Sequence, residues 1–467
     1  MPISYIWAMQ NAGMEYLNSR LMFGMVPGLS STRKICEVLG NPEKKFKSIH
    51  VVGTNGKGSS SFYLAGILQA HGLKAGLYTS PHLVSMRERI RVNDLPISDD
   101  DLDRLLLQVK EAAEKASAVE VSKGLAAIEP TFFEVLTIVA FLYYAEQNVD
   151  VAVLEAGMGG RMDSTAVAGG DIAVVTSIGL EHTEVLGPTE SAILKEKMLV
   201  VGETREAASG KTFVLGGLSE ALLAEGRELA ASLGASVLVP EVRDDVVLPN
   251  LGQHYVENAS LSLKTAEMFL KVCGSSTCGF SASGHASDHL AYNDSLALDC
   301  LKARSWAGRM QTLSDSNGNV RVILDGAHNS HAVRRLVQAL ERYYPGQKFH
   351  CLFGALKDKD VEEMLKLMKP YISHWHVTKT PYPRFRELSD VRGELENLGL
   401  SVADEGELSK NYLDCVLAES LIGEREPRPL LITGSLYMIG AAVQILKDDF
   451  EGLRFFRGME PSTNEHR

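Results

Sequence analysis

Short runs of aliphatic and β-branched residues alternate along most of the chain with longer stretches of helical period. The runs SIHVVG (48–53), KAGLYTS (74–80), VDVAVLE (149–155) and DIAVVTSI (171–178) are nearly continuous in apolar character and end in turn residues. A strand covered on both faces has this pattern, because neither set of alternating side chains meets water. A second set comes later: VRVILDGA (320–327), KFHCLFGA (348–355), SHWHVT (373–378) and PLLITGS (429–435), with helical patterns between its members. Strands alternating with helices predict doubly wound α/β sheets, one for each set. The run VLTIVAFLYYA (135–145) is too short to span a bilayer and reads as a buried helix. Between the sets, CGSSTCGFSASGHASDH (273–289) is rich in Gly and Ser and reads as a flexible insertion. A hinge close to Lys302 then divides a larger domain, 1–302, from a smaller one, 303–467.

Composition narrows the class. A chain of 467 residues carries a length prior of roughly three domains, though two large α/β domains fit as well. A net charge of −12 argues against a nucleic-acid binder, which usually presents a basic face. It does not exclude an anionic small substrate held in a locally basic cleft. Six cysteines stand at 36, 273, 278, 300, 351 and 415 without a C-x-x-C pair, so no zinc or disulfide framework is implied. The opening MPISYIWAMQNAGMEYL lacks a basic segment followed by an apolar core. The expectation is a cytoplasmic monomer that acts on small molecules and binds neither nucleic acid nor membrane.

Open α/β sheets bind ligands beyond the carboxyl ends of their strands. The first set delivers GTNGKGS, TSPH, EAGMGGRMDST and SIGLEHTEVLG there, and the second delivers DGAHN, GALKDKD and TGSLY. The first of these, in IHVVGTNGKGSSSF (49–62), is almost a phosphate loop. With Gly56 and Lys57 in the places of G-x-x-x-x-G-K-[ST], the leading glycine is replaced by Val51 and the hydroxyl residue by Gly58. Gly53, Gly56 and Gly58 still permit a sharp turn into a helix whose amides face an anion. Lys57 would reach phosphate as a point charge, and Ser59 would touch a cation or cap the helix. A capped turn with no ligand is the alternative.

The departure from the standard pattern is informative. GTNGKGS resembles the phosphate loop of the Mur-ligase superfamily, and glycine after the lysine is similar to its folylpolyglutamate synthase and dihydrofolate synthase branch. The resemblance continues through LYTSPHLVSMRERIRVN (77–93), PTFFEVLT (130–137), LEAGMGGRMDST (154–165) and SIGLEHTEVLGPTESAILKEK (177–197). It runs on through HYVENAS (254–260), WAGRMQ (306–311), DGAHN (325–329), KDKD (357–360) and TGSLY (433–437), so it covers nearly the whole chain. Two positions depart from the family: Ala166 where Asn is common, and Tyr255 where Gln is common. The first lies near the expected pterin and bears on substrate preference.

The resemblance implies a two-domain Mur-ligase-like α/β fold, with a nucleotide- and pterin-binding first domain and a Rossmann-like second domain that completes the ATP site and binds glutamate. It implies ATP contacts from Thr54, Asn55, Gly56, Lys57, Gly58, Ser59, Asn258, Arg309 and Asp325, with His328 at the phosphate end. It implies Mg2+, two ions, held by Ser80, Glu155 and His182, and a carbamoylated Lys197. On chemistry alone, Glu155 suits Mg2+, His182 reads equally as a hydrogen-bonding residue, and Ser80 reads as a turn residue. Lys197 alone reads as a solvated helix lysine. Thr131, Phe132, Phe133, Glu134, Met162, Asp163 and Ser164 would line the pterin, with Val26 to Gly28 nearby, although the two phenylalanines also read as core. Lys57, Lys197 and His328 would serve the chemistry.

The implied reaction transfers the γ-phosphoryl group of ATP to a carboxylate, and the amino group of L-glutamate then displaces phosphate from the acyl phosphate. The acceptor would be dihydropteroate, the γ-carboxylate of a reduced folate, or both. Lys379, Arg384 and Arg386, in TKTPYPRFRE (378–387), read either as a receptor for glutamate or as a solvated basic loop. Two rivals stay open: a cell-wall amino-acid ligase of the same superfamily, and an NTP-driven switch or transporter ATPase without ligase chemistry.

Overall fold

A computed structural model describes residues 12–21, 28–274, 291–421, 428–457 and 459. The Gly/Ser-rich stretch falls almost wholly outside these residues, as do Val26 and Pro27. The chain forms two compact units. One comprises residues 1–81, 87–247 and 256–304, and the other residues 82–86, 248–255 and 305–467.

The first unit is built on eight strands: β1 (Lys47–Val52), β2 (Ala75–Tyr78), β3 (Ile90–Val92), β4 (Leu95–Pro96), β5 (Val151–Glu155), β6 (Ile172–Val175), β7 (Thr212–Leu215) and β8 (Ser236–Leu238). They lie in the order β4-β3-β2-β5-β1-β6-β7-β8. The four strands read from apolar runs are the parallel centre, and β1, β2 and β5 are buried along nearly their whole length. Register positions the site. Val51 pairs with Glu155, Val52 with Val175 and Tyr78 with Leu154, so the segments after β1, β2, β5 and β6 emerge side by side.

The second unit holds β9 (Gln311–Ser314), β10 (Val320–Asp325), β11 (Phe349–Phe353), β12 (Ile372–Lys379), β13 (Val402–Glu407) and β14 (Leu430–Thr433), in the order β13-β12-β11-β14-β10-β9. Apolar clusters cover both faces of this sheet. Ile323, Cys351, Phe353, Trp375 and Leu431 pack on one side, and Val322, Leu324, Leu352, Leu430 and Ile432 on the other. Burying an aliphatic side chain of this kind is worth about 1.5–3 kcal/mol. The apolar runs do not reveal β3, β4, β7, β8, β9 or β13. Of these, β4, β8, β9 and β13 stand at or near sheet edges and are short or polar; β13 reads VADEGE and is largely exposed. An edge strand that mixes polar residues resists pairing with other chains, at the cost of a weak sequence signal.

The run around Val135–Ala145 is the buried helix Phe132–Glu146. Among the described residues no helix is long and apolar enough to cross a membrane. Cys36, Cys300, Cys351 and Cys415 are free thiols.

Candidate active site

β1 ends at Val52, and the chain turns through Gly53–Gly56 into the helix Lys57–Ala70. Gly53 (φ +151°) and Gly56 (φ +87°) occupy backbone conformations that side chains disfavour. Space excludes side chains there as well. A Cβ on Gly53 would stand 2.0 Å from Thr176 Oγ1, and one on Gly56 would stand 2.7 Å from Asn258 Oδ1. Asn258 therefore packs directly against the loop, from the helix Gln253–Gly274, which Ser262 Oγ also ties to the Ser60 carbonyl at 3.0 Å.

The loop is braced by the segment after β6. The Thr54 amide donates to Ser177 O (2.7 Å), and Thr54 Oγ1 both donates to Gly179 O and accepts from Gly179 N, each at 3.0 Å. The Asn55 amide donates to Ser177 Oγ (3.1 Å), while the Thr176 and Ser177 hydroxyls donate to Asn55 O at 2.7 and 2.9 Å. Thr54 and Asn55 thus hold the loop in shape through groups that a ligand would otherwise engage. Thr176 and Ser177 went unread as site residues because they end an apolar run. Ser59 is buried in the first turn of the helix, and Gly58 is half-buried.

Lys57 is half-buried, and its ammonium donates to Gly53 O (2.9 Å) and Thr54 O (3.1 Å). Lys197 sits on the helix Glu190–Met198 and is only 2% exposed, not solvated as its sequence context suggests. Its amine donates to the same Gly53 O at 2.8 Å. Burial, and then the charge of Lys57, push its pKa down to about 7.

Ser80 and Glu155 are brought together by the β2–β5 register: the Ser80 amide donates to Glu155 Oε2 at 2.9 Å, and the carboxylate is 4% exposed. His182 is the left-handed N-terminal residue of the short helix Thr183–Leu186 (φ +49°). Its Nε2 is 3.6 Å from Glu181 Oε1, and nearly half of its side chain is exposed.

Several expected substrate residues have structural partners. Thr131 and Glu134 form a capping box on the helix Phe132–Glu146: Glu134 N donates to Thr131 Oγ1 (3.3 Å), and Thr131 N donates to Glu134 Oε2 (2.8 Å). Burial raises the pKa of Glu134. Asp163 accepts from Gly157 N, Met158 N, Thr165 N and Thr165 Oγ1 at 2.6–3.0 Å, folding its own loop around a buried carboxylate whose pKa burial raises. Ser164 is buried, while Met162 is 36% exposed. Phe132 and Phe133 are half-buried. Arg89 lies 5.6 Å from the Phe132 ring centre, a cation–π contact absent from the sequence reading. Phe133 closes against Gly157, where an added Cβ would come within 2.7 Å.

In the second unit, Asp325 ends β10 with its carboxylate accepting from Met310 N (2.8 Å), Ala327 N (2.9 Å) and Tyr255 Oη (3.3 Å). Burial raises its pKa against the pull of Arg309. The Arg309 guanidinium lies over Gly326, where a Cβ would meet Nη1 at 2.8 Å. His328 Nδ1 is 2.8 Å from Gly326 O. His254, unread as a site residue, lies against Tyr255 with the rings tilted (4.0 Å between centres), and burial followed by the charges of Arg335, Arg309 and His331 takes its pKa down to about 3. The basic residues at 379–386 each have an acidic partner. Lys379 pairs with Glu387 (2.6 Å), Arg384 with Asp358 (3.2 Å) and Arg386 with Glu394.

A glycine-shaped phosphate loop with two lysines on one carbonyl, in a chain of two α/β units, marks a nucleotide-binding α/β protein. In keeping with this, residues 308–421 match the Mur ligase glutamate ligase domain. The chain is 32% identical over 452 residues to the dihydrofolate synthase/folylpolyglutamate synthase of Bacillus subtilis, covering 93% of this chain and 98% of that protein. Folylpolyglutamate synthase from Thermotoga maritima has the same fold, with a TM-score of 0.75 at 27% identity, covering 95% of this chain and 99% of that one. So does the Mycobacterium tuberculosis folylpolyglutamate synthase solved with ADP and AMPPCP, with a TM-score of 0.77 at 24% identity, covering 96% and 99%. The chain belongs to the dihydrofolate synthase/folylpolyglutamate synthase family.

Proposed function

We propose that this protein is a bifunctional enzyme that joins L-glutamate to dihydropteroate and to the γ-carboxylate of reduced folates, releasing ADP and phosphate. Family membership supports the reaction class. The observation that carries the nucleotide end is the pair of Lys57 and Lys197 amines on the Gly53 carbonyl. In the proposed cycle Lys57 leaves Gly53 O and Thr54 O for the phosphates of ATP, beside the amides that open the helix Lys57–Ala70. Phosphoryl transfer to a carboxylate demands positioning and charge screening more than covalent help from side chains. Thr54, Asn55, Gly56, Gly58, Ser59 and Asn258 shape this end of the site, while Arg309, Asp325 and His328 are the residues we assign to ATP in the second unit. Because the Asp325 carboxylate is already held by two amides, its contribution is to fix the turn that carries Arg309 and His328.

The sheet register holds Ser80 beside Glu155, whose carboxylate oxygens fit the preference of Mg2+ for oxygen. They and His182 are the residues assigned to the metal, which would neutralise phosphate charge when bound. Lys197 is assigned a carbamate. An amine that is neutral near pH 7 can attack CO2, forming the N–C bond and losing a proton, and burial gives Lys197 that property. Residues 1–302 are assigned ATP, metal and pterin, and residues 303–467 glutamate and the remaining ATP contacts. Phe132, Phe133 and Met162 are the better pterin contacts, because Thr131, Glu134 and Asp163 are occupied in shaping their own segments and Ser164 is buried.

The test measures ADP release with L-glutamate and one acceptor at a time. Turnover with both dihydropteroate and tetrahydrofolate supports the reading. Turnover with tetrahydrofolate alone would make the enzyme a polyglutamylating one only. Turnover with neither would favour a cell-wall amino-acid ligase, and ATP hydrolysis indifferent to glutamate would favour a switch ATPase.

A further inference from the structure

β11 and β12 carry three histidines close together. His350 pairs in register with His374, and Leu352 with His376. The rings are nearly parallel, with the His350 centre 4.3 Å from that of His374 and 5.4 Å from that of His376. His350 Nδ1 and His376 Nε2 stand 3.2 Å apart. Glu419, on the helix Lys410–Leu421, completes a cluster in which one ligand atom each from His350, His376 and Glu419 lies within 4.8 Å of the others.

A hydrogen bond between two imidazoles would explain the 3.2 Å separation. It would not explain His376 Nδ1, which is buried without a hydrogen-bond partner in a side chain that is 0% exposed. A buried polar atom left in this state calls for a missing partner, and an ion is one of the few candidates.

We propose that His350, His376 and Glu419 form a site for a divalent transition metal of the zinc class, with His374 at its margin. Two imidazoles and one carboxylate suit zinc, cobalt or nickel, whereas Mg2+ and Ca2+ favour oxygen alone. His350 is the second residue of β11 and His376 the fifth of eight in β12, so the cluster lies part-way along these strands, short of the Gly354 and Gly434 ends where parallel sheets bind substrates. The metal would pin β11 and β12 to the helix Lys410–Leu421, a structural rather than a catalytic role.

The experiment strips the full-length protein with a chelator and titrates it with Co2+ alone, following visible ligand-field absorption and the melting temperature. The expected result is about one equivalent bound with nitrogen-ligand absorption, displaced by Zn2+, and a melting temperature raised by several degrees. Glu419→Gln, at an exposed position that leaves the core intact, should weaken binding at least tenfold. His350→Gln/His376→Gln should abolish the absorption, and its circular dichroism checks that it folds. Glu155→Gln should leave the absorption in place. Absence of the band in the wild-type protein, or a band indifferent to Glu419→Gln, would overturn the proposal.

Discussion

Lys57 and Lys197, the first residue of one helix and the last but one of another, donate to a single carbonyl oxygen, Gly53 O, at 2.9 and 2.8 Å. Two ammonium groups about 4 Å apart repel by about 4 kcal/mol at an effective dielectric near 20. Burial decides which of the two yields its proton, and Lys197 is the more buried. Lys57→Ala should abolish ligation while leaving the melting temperature within a few degrees of wild type, and it should raise the pKa of Lys197. Steady-state turnover and thermal melts check the first part. Unchanged turnover would remove the phosphate-loop assignment.

A lysine whose pKa falls from its ordinary value to about 7 on folding destabilises the protein most where it is charged in both states. That penalty is fully present below pH 7 and fades as the pH rises towards the unfolded value near 10.4. Lys197→Met should therefore be more stable than wild type at pH 6, by up to about 4 kcal/mol, with the advantage shrinking by pH 9. Denaturant unfolding at both values tests this, and a difference independent of pH would mean that Lys197 is not held neutral.

Lys197→Ala should be inactive in ligation and partly restored by acetate or another short carboxylate, which would stand in for a carbamate. Intact-protein mass spectra under native conditions with CO2 provide the second readout. An unmodified mass together with no rescue would leave Lys197 as a positioning amine only.

Glu155→Gln preserves shape but removes the charge beside the Ser80 amide. Activity should fall by at least a hundredfold and recover in part at high Mg2+, and EDTA should silence the wild-type enzyme. Indifference to both treatments would move the metal elsewhere.

The capping box gives Thr131 a role that can be separated from substrate contact. Thr131→Ser should keep full stability, and Thr131→Ala should lose about 1 kcal/mol with little change in KM for the pterin acceptor. A raised KM without a loss of stability would return Thr131 to the substrate site.

Much of this arrangement was legible before any fold. Apolar runs revealed the central strands because a strand buried on both faces leaves no polar position. The glycines at 53 and 56 and the lysine at 57 are local signals, since a tight turn into a helix needs them whatever surrounds it. The Thr131–Glu134 capping box was equally local, four residues long, but the same letters also fit a pterin-binding motif, and only geometry shows the reciprocal bonds. The burial of Lys197 could not be read at all. It depends on a helix from far along the chain laying its lysine against the Gly53 carbonyl, and sequence spacing carries no such distance. The inward carboxylates of Asp163 and Asp325 belong with it: each sits in a turn rich in Gly and polar residues, where sequence permits both a ligand contact and a brace. The brace is what tertiary structure adds: backbone amides surround both groups, as a buried carboxylate requires of its oxygens.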